Sequence, residues 1–164
     1  MNTVANHSEL TDHTPDAIAV IADRLLARVG GTLTADNMSQ LSSSDITLIA
    51  YRMMRDEVMD GGFIGLIHNG LGPFIFLNPF AKAIRQLGEG TDDEALLHDL
   101  SKLLYKGRKL YEKYGDALTQ DCTDEEFMAL YEQYPEFDEL DDEFVCCEEE
   151  FSEAIARRSE NHLS

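Results

Sequence analysis

A chain of 164 residues with 43% hydrophobic side chains is long and apolar enough to bury a core, and a formal charge of -19 disfavours nucleic acid and anionic membrane surfaces as direct partners. Eight Phe and six Tyr, with many Leu and Ile, oppose the disorder that such a charge would otherwise favour. No basic stretch followed by an apolar run opens the sequence, so the expected location is the cytoplasm.

Residues 1–14 read as a polar arm and residues 15–162 as a single all-α domain. Thr14 is placed as N-cap and Pro15 at the first helical position of a helix whose face is Ile18, Ile21, Leu25 and Val29, stopped by Gly30. "TADNMSQL" predicts a short second helix. After the Ser42–Ser44 cap cluster, Ile46, Ile49, Ala50, Met53 and Met54 predict a helix ending near Asp60, broken by Gly61 and Gly62. Residues 61–81 approach membrane-span length without a charge other than His68, but five Gly, two Pro and two Asn rule out one lipid-exposed helix. Buried turns and short helices are expected there, and no membrane association.

Asn78 and Pro79 start a short helix running to Leu87 and stopped by Gly88. A capping box from Thr91 to Glu94 then opens a helix with an apolar stripe through Leu96, Leu97, Leu100, Leu103, Leu104 and Tyr111. Thr123 and Glu126 repeat the box, with Phe127, Leu130 and Tyr131 facing inward. No period of two appears, so the expected architecture is a compact bundle of six to eight helices around a Gly-rich central corner.

The charge is unevenly placed. From Tyr114 to Ala156 there are 16 acids and no base. Leu140, Phe144, Cys147, Phe151 and Ile155 step by 4, 3, 4 and 4, which predicts one closing helix with these residues inward. Asp138, Asp142, Glu149 and Glu153 then point outward, flanked by Glu139, Glu143 and Glu150 on one side and by Asp141 and Glu148 on the other. At 1.5 Å per residue the carboxylates recur about every 2.5 Å, the same order as the one charge per roughly 1.7 Å of duplex DNA axis. A solvated helix face explains the pattern in part. Such faces usually carry Lys at i+4, however, and this one has none. The candidate partner-binding residues are therefore Asp138, Glu139, Asp142, Glu143, Glu149, Glu150 and Glu153, facing a cationic partner.

Metal and cofactor chemistry has little support. An EF-hand reading from Asp56 meets Val58 and Ile67 where ligands are needed, and the His and Cys residues show no zinc spacing. Cys122, Cys146 and Cys147 read as reduced thiols, and Glu148 to Glu150 oppose thiolate formation beside the vicinal pair. In "EVMDGGFIGLIHNG", Gly61 and Gly62 permit a sharp reversal, Phe63 returns the chain to the core, and Glu57 and Asn69 cap backbone groups inside the corner. An enzymatic alternative uses Glu57 and His68 as acid and base with Asn69 as anchor, and a deep pocket joining them would favour it.

"EVMDGGF" followed by "HNG", then "AKAIRQLGEG" and the closing "FDELDDEFVCCEEEF", resemble the DNA mimic protein nineteen-like family of small acidic bacterial proteins, over residues from about Asp45 to His162. The resemblance implies an all-helical domain, non-enzymatic and without cofactor, whose carboxylates imitate DNA phosphates and occupy a basic DNA-binding protein such as a transcription regulator. A monomer or a homodimer is compatible with it. The alternative function is an immunity- or antitoxin-like inhibitor of a basic toxin or nuclease, which needs the same acidic surface.

Overall fold

The computed structural model describes residues 16–163, and within them the chain forms seven α-helices, two short helical turns and no strand. The helices are α1 (Ala17–Ala27), α2 (Ser43–His68), α3 (Phe80–Gly88), α4 (Glu94–Leu118), α5 (Asp124–Gln133), α6 (Glu136–Val145) and α7 (Glu148–Leu163). A 3-10 turn at Met38–Gln40 precedes α2, and a π-helical turn at Pro73–Leu77 follows it. The all-α reading holds. The arm at residues 1–14, with Thr14, and Pro15 lie outside the described residues.

Helix α1 is capped by Asp16, whose carboxylate accepts from the Ala19 N–H at 3.2 Å and binds the Arg55 guanidinium at 3.0 and 2.6 Å. The cap is thus two residues later than Thr14, because Asp16 serves the helix and α2 together. Ile18, Ile21 and Leu25 are buried as their spacing demands, and Gly30 ends the segment at a φ of 91°.

Helix α2 is the hub and touches α1, α3, α4, α6 and α7. A reciprocal box starts it: Asp45 N–H donates to Ser42 Oγ at 3.1 Å, and Ser42 N–H to the Asp45 carboxylate at 3.2 Å. The expected stop near Asp60 is instead a kink. Gly62 takes φ 70° and ψ -176°, and the helix resumes immediately to His68. Phe63, Ile64, Leu66 and Ile67 beyond the kink are fully buried.

The predicted capping box at Thr91 and Glu94 does not form. Asp93 is the N-cap of α4, the Thr91 hydroxyl donates to the Gly88 carbonyl at 2.7 Å, and Asp93 N–H donates to Thr91 Oγ1 at 3.1 Å. The buried Asp93 carboxylate is drawn instead to Arg157 at 2.8 Å and Arg158 at 3.2 Å, and the Arg157 hydrogen bond holds its carboxyl below the usual range. This cluster ties α7 to the start of α4. At α5 the Thr123–Glu126 box is present in both directions, yet no residue of α5 is fully buried; Phe127, Leu130 and Tyr131 rest on the margin of the core.

Candidate functional site

The predicted single closing helix is two helices. After Val145 the backbone hydrogen bonding tightens, with Cys147 N–H donating to the Phe144 carbonyl at 3.1 Å, and α7 starts afresh at Glu148. The inward stripe nevertheless survives the break: Leu140, Phe144, Phe151 and Ile155 are buried and Cys147 is half-buried. The break has an electrostatic consequence that a continuous helix would lack. Glu136, Asp138 and Glu139 occupy the first turn of α6, and Glu148, Glu149 and Glu150 that of α7, so each run meets the partial positive charge of a helix N-terminus.

Of the candidate residues, Asp138, Glu139, Asp142, Glu149, Glu150 and Glu153 are exposed and make no ion pair or side-chain hydrogen bond among the described residues. Glu143 differs, because Lys106 of α4 lies 3.1 Å from it. Lys113 likewise approaches Glu136 at 3.8 Å. Lys102, Lys106, Lys109 and Lys113 step by 4, 3 and 4 along α4, which sets them on one ridge bordering α6. The base-free block is therefore answered along one flank from another helix. The other flank is structural: the Ser152 hydroxyl donates to Glu148 at 2.6 Å and stands 2.8 Å from the Tyr51 hydroxyl.

Asp141 was legible only as one acid among many, and the structure gives it a separate task. Its Oδ1 accepts the Phe63 N–H at 2.9 Å, and the Tyr131 hydroxyl donates to the Gly61 carbonyl at 2.6 Å. Side chains from α6 and α5 thus satisfy backbone groups that the Gly62 kink releases. Phe63 also meets Phe144 edge-on at 6.3 Å, so the corner and the acidic helix share one packing unit. Glu57 and Asn69 do not cap backbone groups as expected. They bond to each other across the kink, Asn69 Nδ2 to Glu57 Oε2 at 2.9 Å.

Burial pushes the Asp141 carboxyl up to about 6; the Phe63 N–H opposes the shift and the neighbouring Asp138 and Asp142 add to it. A carboxyl raised above the usual carboxylate range is destabilising when ionised, and this penalty is relieved as pH falls through about 6. Asp141→Asn, which keeps an acceptor for Phe63, should therefore melt at or above the wild type at about pH 8 and lose that advantage at about pH 5. Asp141→Ala should be about 1–3 kcal/mol less stable at both values, because Phe63 N–H loses its partner. Thermal melts of the three proteins decide it; an Asn variant that tracks the alanine variant would contradict the role of the hydrogen bond.

Cys146 and Cys147 are free thiols at the α6–α7 junction, with Sγ atoms 3.1 Å apart. Its hydrogen bond to Cys146 and burial push the Cys147 thiol up to about 11, with Glu150 adding to the effect. Replacing Cys146 by Ser and Cys147 by Ala should leave binding through the acidic face within about twofold, measured by titration calorimetry, since neither thiol is poised as a thiolate. Loss of binding with the fold intact would contradict this.

A cleft of about 620 Å³ opens between α2 and α5, and Glu57 and His68 both line it. His68 Nδ1 donates to the Leu118 carbonyl at 2.9 Å, and its ring packs 4.8 Å from Phe127. Cys122 also lines the cleft but makes no hydrogen bond to His68 among the described residues. Glu57 is engaged by Asn69, so the arrangement supplies no nucleophile held by a base. Among the described residues no three His, Cys, Asp or Glu side chains converge as a metal-ligand set, and no helix is long and apolar enough to cross a membrane.

Comparison with known proteins places the chain in a family. The model of the DMP19-like protein family matches residues 39–162. A relative from Neisseria meningitidis serogroup B, named DNA mimic protein DMP19, is 33% identical over 107 residues, which are 65% of this chain and 60% of the relative. The matched stretch thus spans less than two thirds of that relative's length. The chain belongs to the DMP19-like protein family.

Proposed function

We propose that this family member is a non-enzymatic DNA mimic whose α6–α7 face occupies the DNA-binding cleft of a basic protein, such as a transcription regulator, in the cytoplasm. The observation that carries the reading is the row of exposed carboxylates at Asp138, Glu139, Asp142, Glu149, Glu150 and Glu153, none of them neutralised by another side chain among the described residues. Fixed on two packed helices, they select positions of Lys and Arg much as phosphates do, because such contacts read charge and geometry rather than sequence. Glu143 stands at the edge of the row, partly spent on Lys106. The name of the Neisseria meningitidis relative, DNA mimic protein DMP19, supports the same reading.

The immobilised chain should retain a basic DNA-binding protein from an extract of its own cells and release it as salt rises, since exposed charge pairs are screened over about 10 Å at 0.1 M. Retention indifferent to salt would contradict the proposal. Capture of a nuclease toxin in place of a regulator would turn the reading toward the immunity role.

A further inference from the structure

The acidic face leaves the α2–α5 cleft unused, although the most distinctive stretch of the sequence, Glu57 to Asn69, forms one of its walls. We propose that this cleft is a socket for an arginine side chain of the protein partner, an inference that rests on the acidic face being a protein-docking surface. At about 620 Å³ the cleft admits a long side chain together with part of its flanking backbone. Its chemistry has two complementary parts. Phe127 and Tyr131 pack edge-to-face at 5.5 Å and give the cleft an aromatic wall, while Met128, 63% exposed, forms an apolar lip with nothing covering it. Asp60 and Asp124 bring carboxylates that make no ion pair or side-chain hydrogen bond among the described residues, and no Lys or Arg lines the cleft.

An aromatic wall beside free carboxylates fits a guanidinium better than an ammonium. The planar guanidinium stacks on an aromatic face while directing several N–H donors at carboxylates, whereas the compact ammonium holds its water more tightly. Met adapts to the aliphatic stem. The socket also adjoins the corner on which α6 is seated. Tyr131, on its wall, donates to the Gly61 carbonyl at the corner where Asp141 of α6 receives Phe63 N–H. A partner lying across α6 can therefore place one arginine in the cleft, and a desolvated arginine anchor is a common centre of binding energy.

Hexa-arginine and hexa-lysine peptides test this by calorimetry at fixed salt. The wild type should prefer hexa-arginine by about fivefold or more. Asp60→Asn combined with Met128→Ala, both at exposed positions and so tolerated by the fold, should abolish the preference while changing hexa-lysine binding by less than about twofold. Neutralising Asp142, Glu149, Glu150 and Glu153 should weaken both peptides alike and keep their ratio. Equal affinities in the wild type, or a preference that survives the cleft substitutions, would overturn the socket. A preference that persists while the neutralised face binds both peptides as before would overturn the acidic-face reading and still support the socket.

Discussion

Gly62→Val should lower stability by about 3–5 kcal/mol, because two independent costs fall on one residue. The first is conformational: φ at Gly62 is +70°, a region that a β-branched residue enters only under strain. The second is steric and then electrostatic. A Cβ on Gly62 would stand 2.5 Å from Asp141 Oδ2, so the carboxylate must move away and Phe63 N–H loses its acceptor. For a chain of 164 residues this corresponds to a fall in melting temperature of roughly 10 °C. Gly61 is the control. Its φ is not positive, and a Cβ there would meet only the Tyr131 hydroxyl at 3.5 Å, so Gly61→Ala should change stability by less than about 1 kcal/mol. Equal melting temperatures for Gly62→Val and the wild type would remove the kink from the account.

The second large effect is on binding. Changing Asp142 to Asn and Glu149, Glu150 and Glu153 to Gln should weaken the complex with the captured partner roughly a hundredfold, at about 0.7 kcal/mol for each exposed charge pair. Stability should shift by less than about 1 kcal/mol, because two terms oppose each other. Repulsion among like charges falls, but Glu149 and Glu150 also give up their favourable place in the first turn of α7. A solvated face without a partner would show the stability result alone. The calorimetric affinity and the melting temperature, measured on the same variant, separate the two cases.

The sequence made local signals readable and distant ones silent. The box at Thr123 and Glu126 needs only three residues of spacing and formed as read. The box at Thr91 and Glu94 looked equivalent, but Asp93 is recruited by Arg157, 64 residues away, and becomes the cap itself. Two glycines after Asp60 suggested a stop. The helix continues because Asp141 and Tyr131, separated from the corner by 78 and 70 residues, accept and donate at the groups the kink exposes. The apolar stripe from Leu140 to Ile155 is continuous through the α6–α7 break, so periodicity could not reveal it. The signal for it lay in the three glutamates after the cysteines, a composition that suits a helix start better than a helix middle. The lysine ridge on α4 went unread in the sequence, because its pairing with Glu143 required the fold to bring α4 and α6 together.

Mimicry of DNA is tested most directly by competition. With the captured partner held on a fluorescent duplex carrying its own site, increasing amounts of this protein should release the duplex fully. The release should fit competition for one site, weaken steeply with salt, and fail with the fourfold neutralised variant, because protein and duplex claim the same basic cleft. A ternary complex, in which this protein binds while the duplex stays at its specific site, would contradict the account.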